Sequence, residues 1–354
     1  MFVTAFRLYT YNDINIIIKT IIGDIAMDWQ YVEERYGFKI LGKEMVRKIY
    51  KLHTDKGMKC FKRAHARKSY FLFVFSAVNH LTLKGFTAPI SYDMTLDNDI
   101  CIEDGEYIYY ALPWIESRQC KFKKRDDLLK AIKLSADLHK AAKDFKPPED
   151  SKPRIYYGKW PQNFRKRLDE MKLFKETIES KDVRDEFDEA YYPLIDFFME
   201  QGYEAIELLE KSSYYDISQK AMERGEFCHH DMAEHNFLIT PYGEMRIIDF
   251  DYCIMDTRLH DVASLVIRNM RHGIWDIAKA DFILNEYCKY YPINQRELEV
   301  IKCFALFPQD FWQVGLQYYV EKQPWTMENF MSRLNDVRDD FKLRQSFLNE
   351  FIRL

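Results

Sequence analysis

The 354 residues suffice for one large two-lobed domain or two small ones. Hydrophobic residues (47%) and aromatics (16%) can bury a sizeable core, and a net charge of −4 lacks the basic excess of a dedicated nucleic-acid binder. The seven cysteines are widely spaced and form no CxxC pair, which fits a reducing compartment better than a disulfide framework or a zinc site. No run reaches the roughly 18 apolar residues of a membrane helix, so no membrane role is expected.

Residues 14–22 form an apolar stretch with no positive run before it and no small-residue cleavage site after it, which speaks against a signal peptide. Residues 1–27 read as an N-terminal extension, and Met27 stands where an alternative start would fall. From 28 to 113 the chain is strand-rich with one long helix. Val46–Leu52 alternates apolar and polar residues, Asp55-Lys56-Gly57 reads as a hairpin turn, and Met58–Lys62 as the returning strand. Residues 66–84 suit a helix ending at Gly85. Further strands fit near 98–102 and 107–112, around Glu103-Asp104-Gly105-Glu106. Residues 114–120 form a connector, and 121–354 read as helical. There Asp126 is a plausible helix cap, long charged helices fall at about 161–180, 183–212 and 326–352, and one hairpin turns at Pro241-Tyr242-Gly243. The order predicts an α+β, two-lobed, kinase-like architecture with a small antiparallel-sheet N-lobe and a large helical C-lobe.

The segment that carries chemistry is Cys228-His229-His230-Asp231-Met232-Ala233-Glu234-His235-Asn236, followed 13 residues after Asn236 by Asp249-Phe250-Asp251. It matches the kinase pattern H-x-D-x-x-x-x-N, hairpin, D-F-x. Phosphoryl transfer needs a carboxylate that orients the attacking hydroxyl and accepts its proton, and oxygen ligands for a magnesium ion on the phosphates. Asp231 has the position of that base. Asn236 and Asp249 can offer the metal oxygens from opposite sides of a folded-back segment, with Asp251 as a secondary ligand. The alternative, a zinc cluster of His229, His230 and His235, lacks a fourth ligand, and His229 reads as a packing residue that supports the loop. Asp261 is either a helix N-cap or a buried carboxylate bonded to the loop backbone. In the small lobe, Lys62 stands on the presumed third strand where a point charge can meet α/β phosphates; Lys59 competes but is one residue off the same face.

At these residues the chain resembles the CotS family of bacterial spore coat proteins, within the aminoglycoside phosphotransferase and choline kinase group. Gly57–Arg63 resembles the family's lysine strand. Trp114–Cys120 is similar to its W-I-E-G-R-x-C segment, with Ser117 in place of glycine. Gly158–Phe164 and Arg167-Leu168 are similar to its G-K-W-P-x-N-F-x-x-R-L block. Cys228–Asp251 resembles its Brenner-type loop, and Phe307–Trp312 with Tyr318-Tyr319 its C-terminal aromatic stretch. The likeness spans roughly residues 28–350. It implies a kinase-like fold, ATP or another nucleoside triphosphate and Mg2+ as cofactors, and residues near Leu112, Trp114 and Glu116 as the adenine-binding connector. It also implies a place in the mother-cell cytoplasm and then the spore coat, other coat proteins as partners and a small-molecule acceptor.

The chain departs from that pattern in the small lobe. Kinases of this shape hold the strand lysine with a carboxylate from the following helix, yet no Asp or Glu occurs between Lys62 and Asp93, and Asn79 stands at the expected position. No glycine lies between Gly42 and Gly57 to form a phosphate loop; Arg47 and Lys48 are the charges available there. Two outcomes fit: phosphotransfer to a hydroxyl, and a catalytically weak or inactive pseudokinase serving as a structural component of the coat. Acceptor-site residues are expected within 155–215, where no single residue stands out.

Overall fold

The computed structural model describes residues 27–46 and 48–353. The apolar stretch at 14–22 and Arg47 lie outside the described residues. The described residues divide into two compact units, one formed by those of 27–68 with 92–115, the other by 69–91 with 116–353.

The first unit opens with helix α1 (Trp29–Tyr36), which the sequence reading did not contain. Asp28 caps it by accepting from the Tyr31 amide (3.1 Å), and Gly37 closes it in the left-handed region at φ 68°. Five antiparallel strands follow: β1 (Ile40–Val46), β2 (Ile49–Thr54), β3 (Gly57–Ala64), β4 (Ile102–Asp104) and β5 (Tyr107–Pro113), in the order β1-β2-β3-β5-β4. The alternation at Val46–Leu52 therefore runs through a chain reversal, because Val46 pairs with Ile49. The next turn falls where Asp55-Lys56-Gly57 places it, with Gly57 at φ 93°. The strand expected near 98–102 begins only at Ile102. Val32, Tyr36, Phe38, Leu52, Phe61, Ile102, Tyr109 and Ala111 make one core between α1 and one face of this sheet.

In the second unit, helix α2 (Lys68–Leu83, its first residue excepted) precedes a three-stranded sheet in the order β6 (Arg118–Gln119), β7 (Phe237–Ile239), β8 (Met245–Ile247). Helix α3 (Arg125–Ala141) is preceded by Lys124 at the cap position, so Asp126 sits inside its first turn, where it favours the positive end of the helix dipole instead of capping it. Helices α4 (Trp160–Glu179) and α5 (Glu186–Lys211) form an antiparallel pair, followed by the shorter α6 (Tyr214–Glu223). Helices α7 (Leu259–Met270), α8 (Ile277–Cys288), α9 (Gln295–Leu306), α10 (Gln309–Tyr319) and α11 (Met327–Arg353) complete the unit. The aromatic blocks at its two ends pack on one another: Phe164 stacks on Phe307 at 4.0 Å and Tyr191 on Phe311 at 4.1 Å. Among the described residues no helix is long and apolar enough to cross a membrane.

Candidate active site

The loop from Cys228 to Asp251 is built on a fixed floor. Cys228 and Ile254 exchange backbone hydrogen bonds at 2.9 and 3.1 Å. His229 is fully buried; its Nδ1 accepts from the Asp231 amide (3.3 Å), so its Nε2 carries the proton and donates to the Ile248 carbonyl (2.9 Å). Its ring meets Phe250 edge-on at 4.6 Å. With both ring nitrogens engaged, His229 is a scaffold residue and has no lone pair for zinc.

Of the two readings open for Asp261, the structure shows the buried carboxylate. The residue at the cap of α7 is Arg258, and Asp261 lies in its first turn with its carboxylate fully buried. Its two oxygens accept from the amides of His229 and His230, each at 2.8 Å. Oδ2 also meets His139 Nε2 (3.2 Å), and His139 Nδ1 meets the Tyr287 hydroxyl (2.8 Å). Burial alone would raise this carboxyl, but the His139 and His260 contacts outweigh it and hold the group well below the usual carboxylate range. The carboxylate thus fixes two successive loop amides immediately before Asp231, and His230 takes a left-handed backbone (φ 75°) to follow them.

Asp231 and Asn236 are brought into contact. Asn236, 1% exposed, donates through Nδ2 to both the Asp231 carbonyl and Asp231 Oδ2, each at 2.9 Å. The β7–β8 hairpin then turns at Gly243 and returns the chain, so that the Ile248 amide donates to the Asn236 carbonyl (3.0 Å). Asp249 follows at once in the left-handed conformation (φ 68°, ψ 57°), and Phe250 is buried against His229. The Asp251 carbonyl is held by the Tyr70 hydroxyl (2.6 Å) and Arg154 (3.0 Å). The donor set suits magnesium: the Asn236 amide nitrogen is spent on Asp231, which leaves its oxygen as the group to offer, and Asp249 adds a half-buried carboxylate.

The sequence reading missed Arg268. Its guanidinium donates to Asp231 Oδ1 at 2.6 Å and to Ser264 Oγ at 3.2 Å. Burial pulls its pKa down and Asp231 partly restores it. No local pattern announces this residue; it reaches the loop because α7, anchored by Asp261, presents it two turns further on.

In the first unit, register separates the two candidate lysines. Phe61 faces the core, so Lys59 shares its face and Lys62 takes the opposite one, beside Tyr110 and in line with Cys60 and Leu112. Lys59 pairs with Asp93 at 2.7 Å. The Trp114 amide continues the strand by donating to the Met58 carbonyl (2.9 Å), and Lys51 lies over the Trp114 ring at 4.8 Å. Glu116 is exposed, and Asn79 is a half-buried residue of α2, both in the second unit.

Beneath the loop lies a second buried carboxyl, Asp256, which accepts from Trp160 Nε1 (2.7 Å) and the Thr257 amide (2.8 Å). Burial pushes it up to about 6, with His260 and the two hydrogen bonds opposing. A carboxyl raised in the fold favours the protonated native state, so its stabilising effect is complete below the unfolded value near 4. That effect is lost as pH rises through about 6. Wild type is therefore expected to lose about 2–3 kcal/mol relative to Asp256→Asn between pH 4 and 7.5. Urea unfolding of both proteins at the two pH values measures it, and a pH-independent difference would remove Asp256 as the cause.

The family model for Spore coat putative kinase YutH matches residues 30–351. Spore coat protein S of Bacillus subtilis (strain 168) is 25% identical over 307 residues, covering 86% of each chain. Endospore coat-associated protein YutH of the same organism is 22% identical over 215 residues, covering 60% of this chain and 61% of that protein. Among solved structures, an aminoglycoside phosphotransferase from Alicyclobacillus acidocaldarius superposes with a TM-score of 0.76 at 21% identity, over 92% of this chain and 95% of that one. Spectinomycin phosphotransferase APH(9)-Ia, in complex with ADP and spectinomycin, gives 0.67 at 14% identity, over 92% and 97%.

Proposed function

The chain belongs to the spore coat putative kinase YutH family, and from that premise we propose that it is a spore coat protein that transfers a phosphoryl group from ATP, or another nucleoside triphosphate, to a hydroxyl of a small molecule or coat component. The observation that supports this most directly is the Asp231–Asn236 contact on a loop immobilised by Asp261. Asp231 orients the acceptor hydroxyl and takes its proton. Asn236 and Asp249 present oxygens to Mg2+, with Asp251 in a supporting position; the ion, when bound, neutralises charge on the triphosphate. Lys62 supplies a cation to the phosphates, and backbone groups from Leu112 through Trp114 to Glu116 hold the base. The residues 1–27, 28–113, 114–120 and 121–354 would then serve as extension, N-lobe, connector and C-lobe. Synthesis in the mother cell and incorporation among other coat proteins follow from the same reading.

Calorimetry of nucleotide binding tests it. Wild type is expected to bind ATP with magnesium and more weakly without it, and Asp249→Ala to lose the magnesium-dependent part. Indifference to magnesium, or an unchanged Asp249→Ala titration, would end the metal assignment.

A second reading, an inactive fold retained for coat assembly, is favoured by one observation: no carboxylate occurs between Lys62 and Asp93, and Asn79 cannot neutralise an ammonium. Under it, a spore carrying Asp231→Ala assembles a normal coat while deletion does not.

A further inference from the structure

Three arginines act on the loop that carries Asp231. Arg268 has Asp231 itself as its carboxylate partner. Arg167, on α4, donates to the neutral Gln309 Oε1 (2.6 Å) and lies over the Trp312 ring at 4.6 Å, with no carboxylate within ion-pair distance among the described residues. Burial pushes its guanidinium down to about 10, with Tyr156 and Glu170 opposing only in part. Arg154 is held by the Tyr70 hydroxyl and the Asp251 carbonyl, again without a carboxylate, and its Nε is buried with no hydrogen-bond partner. The Tyr156 ring lies 6.3 Å from the His230 ring, and Tyr156 is in turn a charge neighbour of Arg167. His230, the residue before Asp231, is depressed by burial and the nearby His260, and both Arg154 and Arg167 add to the effect. The contacts also form a circuit: Arg167 holds Gln309, the next residue Asp310 pairs with Arg271, and Arg268, one turn before Arg271 on α7, holds Asp231.

From this arrangement we propose that the acceptor is an anion: a hydroxylated molecule whose carboxylate or phosphate group displaces Asp231 from Arg268 and is shared with Arg167. The inference rests on the phosphotransfer reading above and names its substrate class. The geometry limits the acceptor further. Arg268 and Asp231 are in direct contact, so an anion on Arg268 and a hydroxyl on Asp231 belong to the same or neighbouring carbons, as in a small hydroxy acid or sugar acid. Binding then also frees the base. Asp231 Oδ1 loses its ion pair and gains the acceptor hydroxyl, while Oδ2 stays on Asn236. In the transfer, the acceptor oxygen bonds to the γ-phosphorus and the bond from that phosphorus to the β–γ bridging oxygen breaks. The hydroxyl proton passes to Asp231 and the nucleoside diphosphate leaves.

The test uses the full chain with Mg·ATP and a panel of acceptors. D-glycerate and D-gluconate represent carboxylates, glycerol 3-phosphate a phosphate, glycerol and glucose neutral hydroxyls, and choline and spectinomycin cations. ADP release is expected with the anionic members alone, the better of the carboxylate and phosphate arms identifying the group bound. Arg167→Gln is expected to raise the acceptor KM at least tenfold, and Arg167→Lys to recover part of it. Ligand-observed NMR with Mg·ADP present gives a second readout that needs no turnover. Anion binding that Arg167→Gln weakens, without ADP release, would keep the anion site and remove the phosphotransfer reading. Turnover of neutral or cationic acceptors in preference to anions, no binding of any anion at millimolar concentration, or anion binding indifferent to Arg167→Gln would overturn the proposal.

Discussion

Asp231→Asn is expected to lower turnover about 10²- to 10⁴-fold, the range a positioned general base contributes, while leaving Mg·ATP binding in place. The asparagine can still accept the Asn236 Nδ2 bond that Asp231 Oδ2 accepts at 2.9 Å, so the loop keeps its shape. What it cannot do is take a proton. It also leaves Arg268 without its carboxylate, but that side chain is 28% exposed and keeps its bond to Ser264. A coupled assay of ADP release against a calorimetric dissociation constant provides the comparison. Turnover within a few-fold of wild type would show that Asp231 is not the base.

Asp261→Ala is expected to cost about 3–5 kcal/mol, the range for breaking a buried charged network from one side. The change strands two backbone amides, at the buried His229 and the half-buried His230, and His139 Nε2, which all converge on one fully buried carboxylate. The pH dependence has the opposite sign to that of Asp256. A carboxyl held low in the fold stabilises above its unfolded value near 4, and that contribution disappears as pH falls below it. Urea unfolding at neutral pH gives the cost, and amide exchange at His229 and His230 locates it. An unchanged unfolding midpoint, or exchange that accelerates elsewhere but not at these two amides, would show that Asp261 does not hold the loop.

The catalytic-type loop was legible because its chemistry lies within one short segment. A base, an amide five residues on and a carboxylate beyond a hairpin leave a local signature, and the Pro-Tyr-Gly turn marks the hairpin between them. Turns with a glycine were read correctly for the same reason, at Gly57, Gly105 and Gly243. The reversal between β1 and β2 was not. It carries no glycine, proline or asparagine, so the alternation at Val46–Leu52 looked like one strand when it is the join of two. Helix α1 was missed because eight residues of Trp-Gln-Tyr-Val-Glu-Glu-Arg-Tyr give only two buried positions, Val32 and Tyr36, too few for a period. Helix boundaries in the second unit fell close, since long amphipathic stretches are what periodicity reads best. The partners of the loop were the least visible. His139, Tyr287 and Arg268 come from three helices, and their meeting at Asp261 and Asp231 is a product of packing that no spacing along the chain encodes.

Two residues in this loop, His230 and Asp249, hold left-handed backbones without being glycine, a shape side-chain-bearing residues resist by roughly 1–2 kcal/mol each. Neither would settle there unaided. The segment resembles a drawn bow, kept bent by the string that Asp261 ties beneath one end and by the Ile248 amide bonded to Asn236 at the other. A fault in that stringing, however far it begins from the acceptor hydroxyl, would straighten the limb and carry its tip off target before any wider unfolding became visible.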